Sequence, residues 1–303
     1  MELNPLIVQR IVRAALEEDI GTGDVTTEAI VPAGARAEAV ILAKEDGVIA
    51  GLSVAEAAFR ELDPEVRFTA LCRDGDRVSR GQTVARVEGR ARAILTAERV
   101  ALNLLQRLSG IATVTARLCE KVRGTKARVV DTRKTTPGLR ALEKYAVRAG
   151  GGANHRFGLY DAILIKDNHI ALAGGVAAAV AAARDRAGHA LKVEVEVESL
   201  EQLDEALGAG ADIILLDNMD PATMRQAAER VGGRAVLEAS GRITEATIAE
   251  VARTGVDIIS VGALTHSVKA LDLSLEVIEV RGTMLRGAAP AVGAESAPED
   301  ILR

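Results

Sequence analysis

The sequence predicts an α/β protein: an incomplete or irregular α/β barrel preceded by a small α+β domain. Three observations predict it. From residue 127 onward, apolar β-type runs at 127–130, 162–165, 193–197, 212–216, 235–237 and 256–261 alternate with helical stretches. Those stretches lie near 137–149, 173–187, 199–208, 221–231, 244–253 and 267–280. Such alternation builds right-handed βαβ units around a parallel sheet. The runs number six, short of a full eight-stranded barrel, and a doubly wound open sheet is the alternative. Each run also leads into polar or glycine residues, which a parallel barrel gathers at one mouth.

Taken in order, residues 5–18 read as an amphipathic helix with Pro5 in its first turn, on the spacing Ile7, Ile11, Ala14, Ala15. EEDIGTGDVTTEAI then reads as a turn or loop, marked by Gly21, Gly23 and Asp24. From 36 to 89 the pattern is short strands, interrupted by a helix at 53–62 with Ser53 and Glu56 as a capping box. Residues 91–122 read as one or two helices broken near Ser109 and Gly110, with Arg99 on the first; spacing alone makes Arg99 a solvated helix-face residue. The end, 286–303, is rich in Ala, Pro, Gly and Ser and reads as a flexible tail.

Composition narrows the function. The net charge is −5, with three Phe, two Tyr and no Trp, so a broad basic surface and base-stacking platforms are lacking and nucleic acid is not the expected partner. The two cysteines, Cys72 and Cys119, match no metal-ligand spacing and read as reduced thiols of a cytoplasmic protein. The longest uncharged stretch, 170–183, is shorter than the roughly 20 residues a membrane span needs, so no membrane is expected.

Against that acidic background, residues 131–170 concentrate cations: Arg133, Lys134, Arg140, Lys144, Arg148, Arg156 and Lys166, among only Asp131, Glu143, Asp161 and Asp167. This is the pattern of a small-anion site. Arg133, Lys134, Arg156 and Lys166, with His155, are donors to anionic oxygens, and arginine forks suit carboxylate or phosphate. Glu196 and Asp217 are hard oxygen ligands suited to Mg²⁺. Ser240-Gly241 and Gly262-Ala263 are glycine-bearing loops that let backbone N–H groups approach a phosphate. Simpler readings stand beside these. Lys166 pairs with Asp167 or Asp131; Arg140, Lys144 and Arg148 form a solvated stripe with Glu143 nearby. Glu194, Glu196 and Glu198 share one strand face, inward or outward; Asp217 caps the next turn; His155 is a satisfied loop histidine. His189 and His266 gain no role from spacing.

The stretch DTRKTTPGLRALEKYAVRAGGGANHRFGLYDAILIKDNH closely resembles quinolinate phosphoribosyltransferases. EEDIGTGDVTT, AERVALNLLQRLSGIAT, EVEVESLEQLDEAL, IILLDNM, LEASGRI and VDIISVGALTHS resemble that family in its order, covering nearly all of 5–280. The resemblance implies an N-terminal α+β sandwich domain over 1–108, rejoined by about 268–285, and a barrel over 109–267 with fewer than eight strands. It also implies a homodimer in which Arg99 reaches into the partner's site. Arg133, Lys134, His155, Arg156 and Lys166 would bind quinolinate. Glu196 and Asp217 would lie near the ribose and Mg²⁺ of phosphoribosyl pyrophosphate, and Ser240, Gly241 and Gly262 on its phosphate side. Lys134, Lys166, Glu196 and Asp217 are the expected catalytic residues. The implied reaction yields nicotinate mononucleotide, pyrophosphate and CO₂ for NAD biosynthesis. Rival readings are a Schiff-base aldolase using Lys166 and an anion-binding, non-enzymatic relative on the same fold, such as the molybdenum-operon paralogues. DGDRVSRGQTVARVEG also resembles part of a biotinyl or lipoyl carrier domain; Lys44 lacks the methionine neighbours of a biotin site, so strand-and-turn architecture is the reading.

Overall fold

Asn4 starts the first helix: its Oδ1 accepts the Leu6 N–H at 3.0 Å, and Pro5 occupies the first turn, where no donor is needed. The structure, a computed structural model, describes residues 3–282, so the tail expected at 286–303 lies outside the described residues. Helix α1 (Pro5–Ile20) buries Val8, Val12 and Leu16, one stripe at four-residue spacing. The stretch expected to be a loop holds a second helix, α2 (Val25–Ile30). Asp24 is its N-cap, accepting the Thr27 N–H at 2.9 Å. A turn-forming Asp and a capping Asp look alike in sequence.

Strands β1 (Arg36–Ala43) and β2 (Gly47–Val48) lead to helix α3 (Leu52–Leu62). Its N-cap is Gly51, not Ser53. The Leu52 N–H is satisfied instead by Asp74 Oδ1 at 3.1 Å, so the expected capping box does not form. Gly51 sits at φ +102°, where a Cβ would stand 2.6 Å from Leu108 Cδ1. Strands β3 (Arg67–Ala70), β4 (Arg77–Val78) and β5 (Thr83–Arg90) follow. Lys44, which sits between β1 and β2, pairs with Glu276 at 2.8 Å.

Helix α4 (Ala91–Lys121) then runs 31 residues without interruption. Ser109 and Gly110 do not break it. Ser109 Oγ accepts the Ala50 N–H at 3.0 Å, and a Cβ on Gly110 would lie 2.2 Å from the Lys269 carbonyl oxygen. The small pair exists to admit two backbones close to the helix. A boundary at 108/109 therefore falls inside one rigid helix, which packs on α3, β1 and β5 and also on elements of the second part.

That second part comprises β6 (Arg128–Val130), α5 (Arg140–Ala149), β7 (Ile163–Ile165), α6 (Asp167–Ala173), α7 (Val176–Arg186) and β8 (Val193–Val197). It continues through α8 (Leu200–Gly208), β9 (Ile213–Asp217), α9 (Pro221–Val231), β10 (Val236–Ser240), α10 (Ile248–Ala252), β11 (Ile258–Ser260) and α11 (Ala263–His266). The six strands form one parallel sheet in the order β6-β11-β10-β9-β8-β7. The chain steps in one direction from β7 to β11 and places β6 beside β11, a ring left open between β6 and β7. A doubly wound sheet would reverse direction at a switch point. The order therefore selects the incomplete barrel.

The last segment corrects the sequence reading. Residues 267–280 were expected to be helical, yet β12 (Leu273–Arg281) is a strand antiparallel to β1, with Leu273 opposite Ala43. LDLSLEVIEV alternates with period two, a strand signal the barrel rhythm obscured. The first sheet thus reads β12-β1-β5-β3, built from both ends of the chain. Among the described residues no helix is long and apolar enough to cross a membrane.

Candidate active site

The C-terminal strand ends surround a cavity of about 600 Å³. Nine of the eleven residues singled out in the sequence line it: Arg133 and Lys134 after β6, His155 and Arg156 before β7, Lys166 after β7, Glu196 on β8, Asp217 on β9, and Ser240 and Gly241 at the end of β10. Gly262 lies behind the wall. A Cβ there would stand 3.0 Å from Lys134 Cδ, so its bare backbone makes room for the lysine stem. Arg99 is exposed on α4 and does not line its own chain's cavity. Thr132, Asn218, Glu238, Arg242 and Ser260 line it without having been singled out.

The cationic side rests on a buried frame. Lys144 and Asp131 are 3% and 0% exposed at the side chain and form an ion pair. The Lys144 ammonium also donates to the His155 carbonyl at 3.0 Å. Asp131 accepts the His155 N–H at 3.0 Å and Asn154 Nδ2 at 2.5 Å. Burial pushes the Asp131 carboxyl up and the Lys144 ammonium down in pKa, outweighing their mutual attraction. The expected solvated stripe is therefore absent. Glu143, also buried, binds Arg107 at 2.6 Å, and Arg140 Nε donates to Thr135 Oγ1 at 2.9 Å. The α5 charges fasten the loops on either side of the cavity, so Arg133 and Arg156 project from braced backbone.

Arg156 is half-buried, and its Nη1 donates to the Ala162 carbonyl at 3.1 Å. Burial and the neighbouring Arg133 lower its pKa, as cations do when crowded around a space for an anion. Lys166 pairs with Glu196 at 2.7 Å, not with Asp167 or Asp131. Asp217 does not cap α9; Asp220 does, accepting from Ala222 and Thr223.

The cavity floor holds a buried cluster. His155 Nε2 lies 3.2 Å from a Glu194 oxygen and 3.6 Å from Glu238 Oε2. The Arg156 N–H donates to His155 Nδ1 at 2.7 Å, so in the neutral ring Nε2 carries the hydrogen toward Glu194. Burial works against the imidazolium, but the Glu194 bond and the charges of both glutamates outweigh it and raise the His155 pKa. Burial, then repulsion from Glu194, raises Glu238 to about 7. Of the three strand-face glutamates, Glu194 and Glu196 point inward; Glu198, past the end of β8, is exposed. Alternation was the available signal for Glu194; for Glu238 it was its place directly after the apolar run at 235–237.

The cavity thus gathers arginines, lysines, carboxylates and a glycine loop at one parallel barrel mouth. Comparisons with known proteins give the same arrangement a lineage. Residues 24–109 match the family model for the quinolinate phosphoribosyl transferase N-terminal domain, and 111–276 match that for its C-terminal domain. A probable nicotinate-nucleotide pyrophosphorylase (carboxylating) of Bacillus subtilis is 48% identical over 275 residues, covering 91% of this chain and 95% of that protein. The nicotinate-nucleotide pyrophosphorylase (carboxylating) of Mycobacterium leprae is 49% identical over 272 residues, covering 88% and 95%. The crystal structure of NadC from Streptococcus pyogenes superposes with a TM-score of 0.88 at 47% identity, over 92% of this chain and all of that one, its 100% coverage leaving no part unmatched. With both domain models in order along one continuous fold, this chain belongs to the quinolinate phosphoribosyltransferase family.

Proposed function

We propose that the chain transfers the phosphoribosyl group of phosphoribosyl pyrophosphate to quinolinate with decarboxylation, giving nicotinate mononucleotide, pyrophosphate and CO₂ in NAD biosynthesis. One observation carries this reading: Arg133, Lys134 and Arg156 line a single cavity together with Glu196 and Asp217. Two carboxylates of a pyridine suit the cationic side. Arginine forks there fix the ring so that its nitrogen points at the ribose carbon, and positioning of this kind accounts for much of the rate. The bond from that carbon to pyrophosphate breaks with the electron pair leaving on oxygen, and the pyridine nitrogen forms the new bond. The ring nitrogen is then cationic and accepts the pair released as the adjacent carboxylate departs as CO₂; a proton takes its place on carbon. Lys166 and the acids bordering the ribose stabilise charge as it moves.

Glu196 and Asp217 sit on adjacent strands and are hard oxygen donors, a set that fits Mg²⁺ bound jointly with phosphate oxygens. Bound there, Mg²⁺ neutralises charge on the diphosphate. His155 lines the cavity, and its Nδ1 accepts the Arg156 N–H, so beside its expected contact with quinolinate it would help to orient Arg156. Lys166 is committed to Glu196 instead of standing alone in an apolar pocket, which disfavours a Schiff base. The protein acts as a homodimer in which Arg99 of the partner subunit completes the cationic side. Cys72 and Cys119 are free, in keeping with a cytoplasmic setting. Mixing the protein with quinolinate, phosphoribosyl pyrophosphate and Mg²⁺ should yield nicotinate mononucleotide and pyrophosphate in equal amounts; binding of quinolinate without either product would sink the proposal.

Glu238 gives this reading a pH signature. With its pKa near 7, the carboxyl is protonated on the acid side and ionised above, adding negative charge to the floor beside Glu194. A dianionic substrate is then repelled, so KM for quinolinate should rise several-fold between about pH 6 and pH 8.5. In Glu238→Gln that rise should largely disappear. An identical slope in both proteins would assign the titration elsewhere.

A further inference from the structure

Arg107 stands on α4 and does not line the cavity, yet its guanidinium gathers three separate segments of the barrel. Its Nε donates to Glu143 Oε1 on α5 at 2.8 Å. Its Nη2 donates to Thr136 Oγ1 at 2.6 Å and to the Thr265 carbonyl at 3.1 Å. Glu143 passes the grip on, since its Oε2 accepts the Thr136 N–H at 3.1 Å. Thr265, buried on α11, turns back toward the same loop: its Oγ1 donates to the Lys134 carbonyl at 2.7 Å. Two residues of one turn thus place Lys134, Thr265 at its carbonyl and Gly262 along its stem. One guanidinium ties that turn to the loop from which Lys134 projects.

We infer that Arg107 is a positioning residue for quinolinate binding, acting through Lys134: it locks the loop at 133–136 against the turn at 262–265 and so fixes where the ammonium stands. This rests on the phosphoribosyl-transfer reading above. A lysine is a point charge on a flexible four-carbon stem, so it is aimed only as well as its base is held. Lys166 is aimed by Glu196 and Lys144 by Asp131, whereas Lys134 is placed by what holds its backbone and stem. A pair between Arg107 and Glu143 alone would only join α4 to α5. The bonds to Thr136 and Thr265 carry that junction on to the two segments that meet at Lys134. The planar fork suits this task because it reaches separate acceptors in fixed directions.

Arg107→Lys and Thr265→Val test this, each alone and combined with Lys134→Ala, by KM for both substrates. Lysine keeps a charge beside the buried Glu143, so the fold is spared while the fork to Thr136 and Thr265 is lost. Valine keeps the shape of Thr265 and removes only its hydroxyl. Arg107→Lys should raise quinolinate KM about fivefold or more, and Thr265→Val about threefold, as one or two lost hydrogen bonds allow. Donor KM should stay as in the wild type, which a general loosening of the fold would not permit. In the Lys134→Ala background neither change should raise quinolinate KM further, because the side chain they place is gone. Three results would overturn the inference and leave phosphoribosyl transfer standing: quinolinate KM unchanged in both variants, an equal rise in donor KM, or the same fold-change with and without Lys134. A wild type with no turnover overturns both.

Discussion

Arg156→Ala should lower kcat/KM for quinolinate by about a hundredfold or more, because a half-buried fork makes two charge-assisted hydrogen bonds worth roughly 1.5–3 kcal/mol each. Most of the loss should appear as a raised quinolinate KM, as the proposed grip on the substrate carboxylates requires, with donor KM little changed. Arg156→Lys should restore little: an ammonium cannot reproduce the fork, and the hydrogen bond to the Ala162 carbonyl that aims it would be altered. Lys134→Ala should follow in the same direction. Unchanged kinetics for both would remove the cationic side from the reaction. The same variant tests the dimer. If Arg99 of the partner subunit completes each site, mixing the impaired Arg99→Ala and Arg156→Ala proteins restores part of the activity at low quinolinate, because some mixed dimers hold one intact site. No recovery after subunit exchange would place Arg99 outside the chemistry.

Much of this was legible because barrels advertise their mouths. Arg133, Lys134, Lys166, Asp217 and Ser240 lie within four residues of the ends of apolar runs, and the topology that collects those ends follows from strand and helix alternation. What failed were features decided by partners distant in sequence. Gly110 reads as a helix break until the Lys269 carbonyl is placed against it. The strand β12 reads as one more barrel helix until β1, more than 200 residues earlier, offers it an edge. Lys144 reads as a surface lysine because its spacing from Arg140 and Arg148 is helical, yet Asp131 turns that face inward. Arg99 is the limiting case: a residue whose expected partner is another copy of the chain has no signal in one copy's spacing.

Lys144→Met should be the most destabilising single change near the site, by about 3–5 kcal/mol, the usual consequence of leaving one member of a buried ion pair alone. The Asp131 carboxylate would remain at 0% exposure with only Asn154 and the His155 N–H for company. A fall in thermal midpoint of roughly 5–15 °C is expected for a chain of this size. Activity should fall further than stability, because the same lysine holds the His155 carbonyl and so the backbone from which Arg156 projects. The double variant Asp131→Asn with Lys144→Met separates the two effects. Burial disfavours both charges here, so deleting the pair together removes a desolvation penalty along with the attraction and should regain most of the midpoint. Activity should not return in step, since the Lys144 bond to the loop is still missing. If the double variant melts as low as Lys144→Met alone, the pair stabilises the fold in its own right; if activity returns with the midpoint, the loop does not depend on Lys144 for its position.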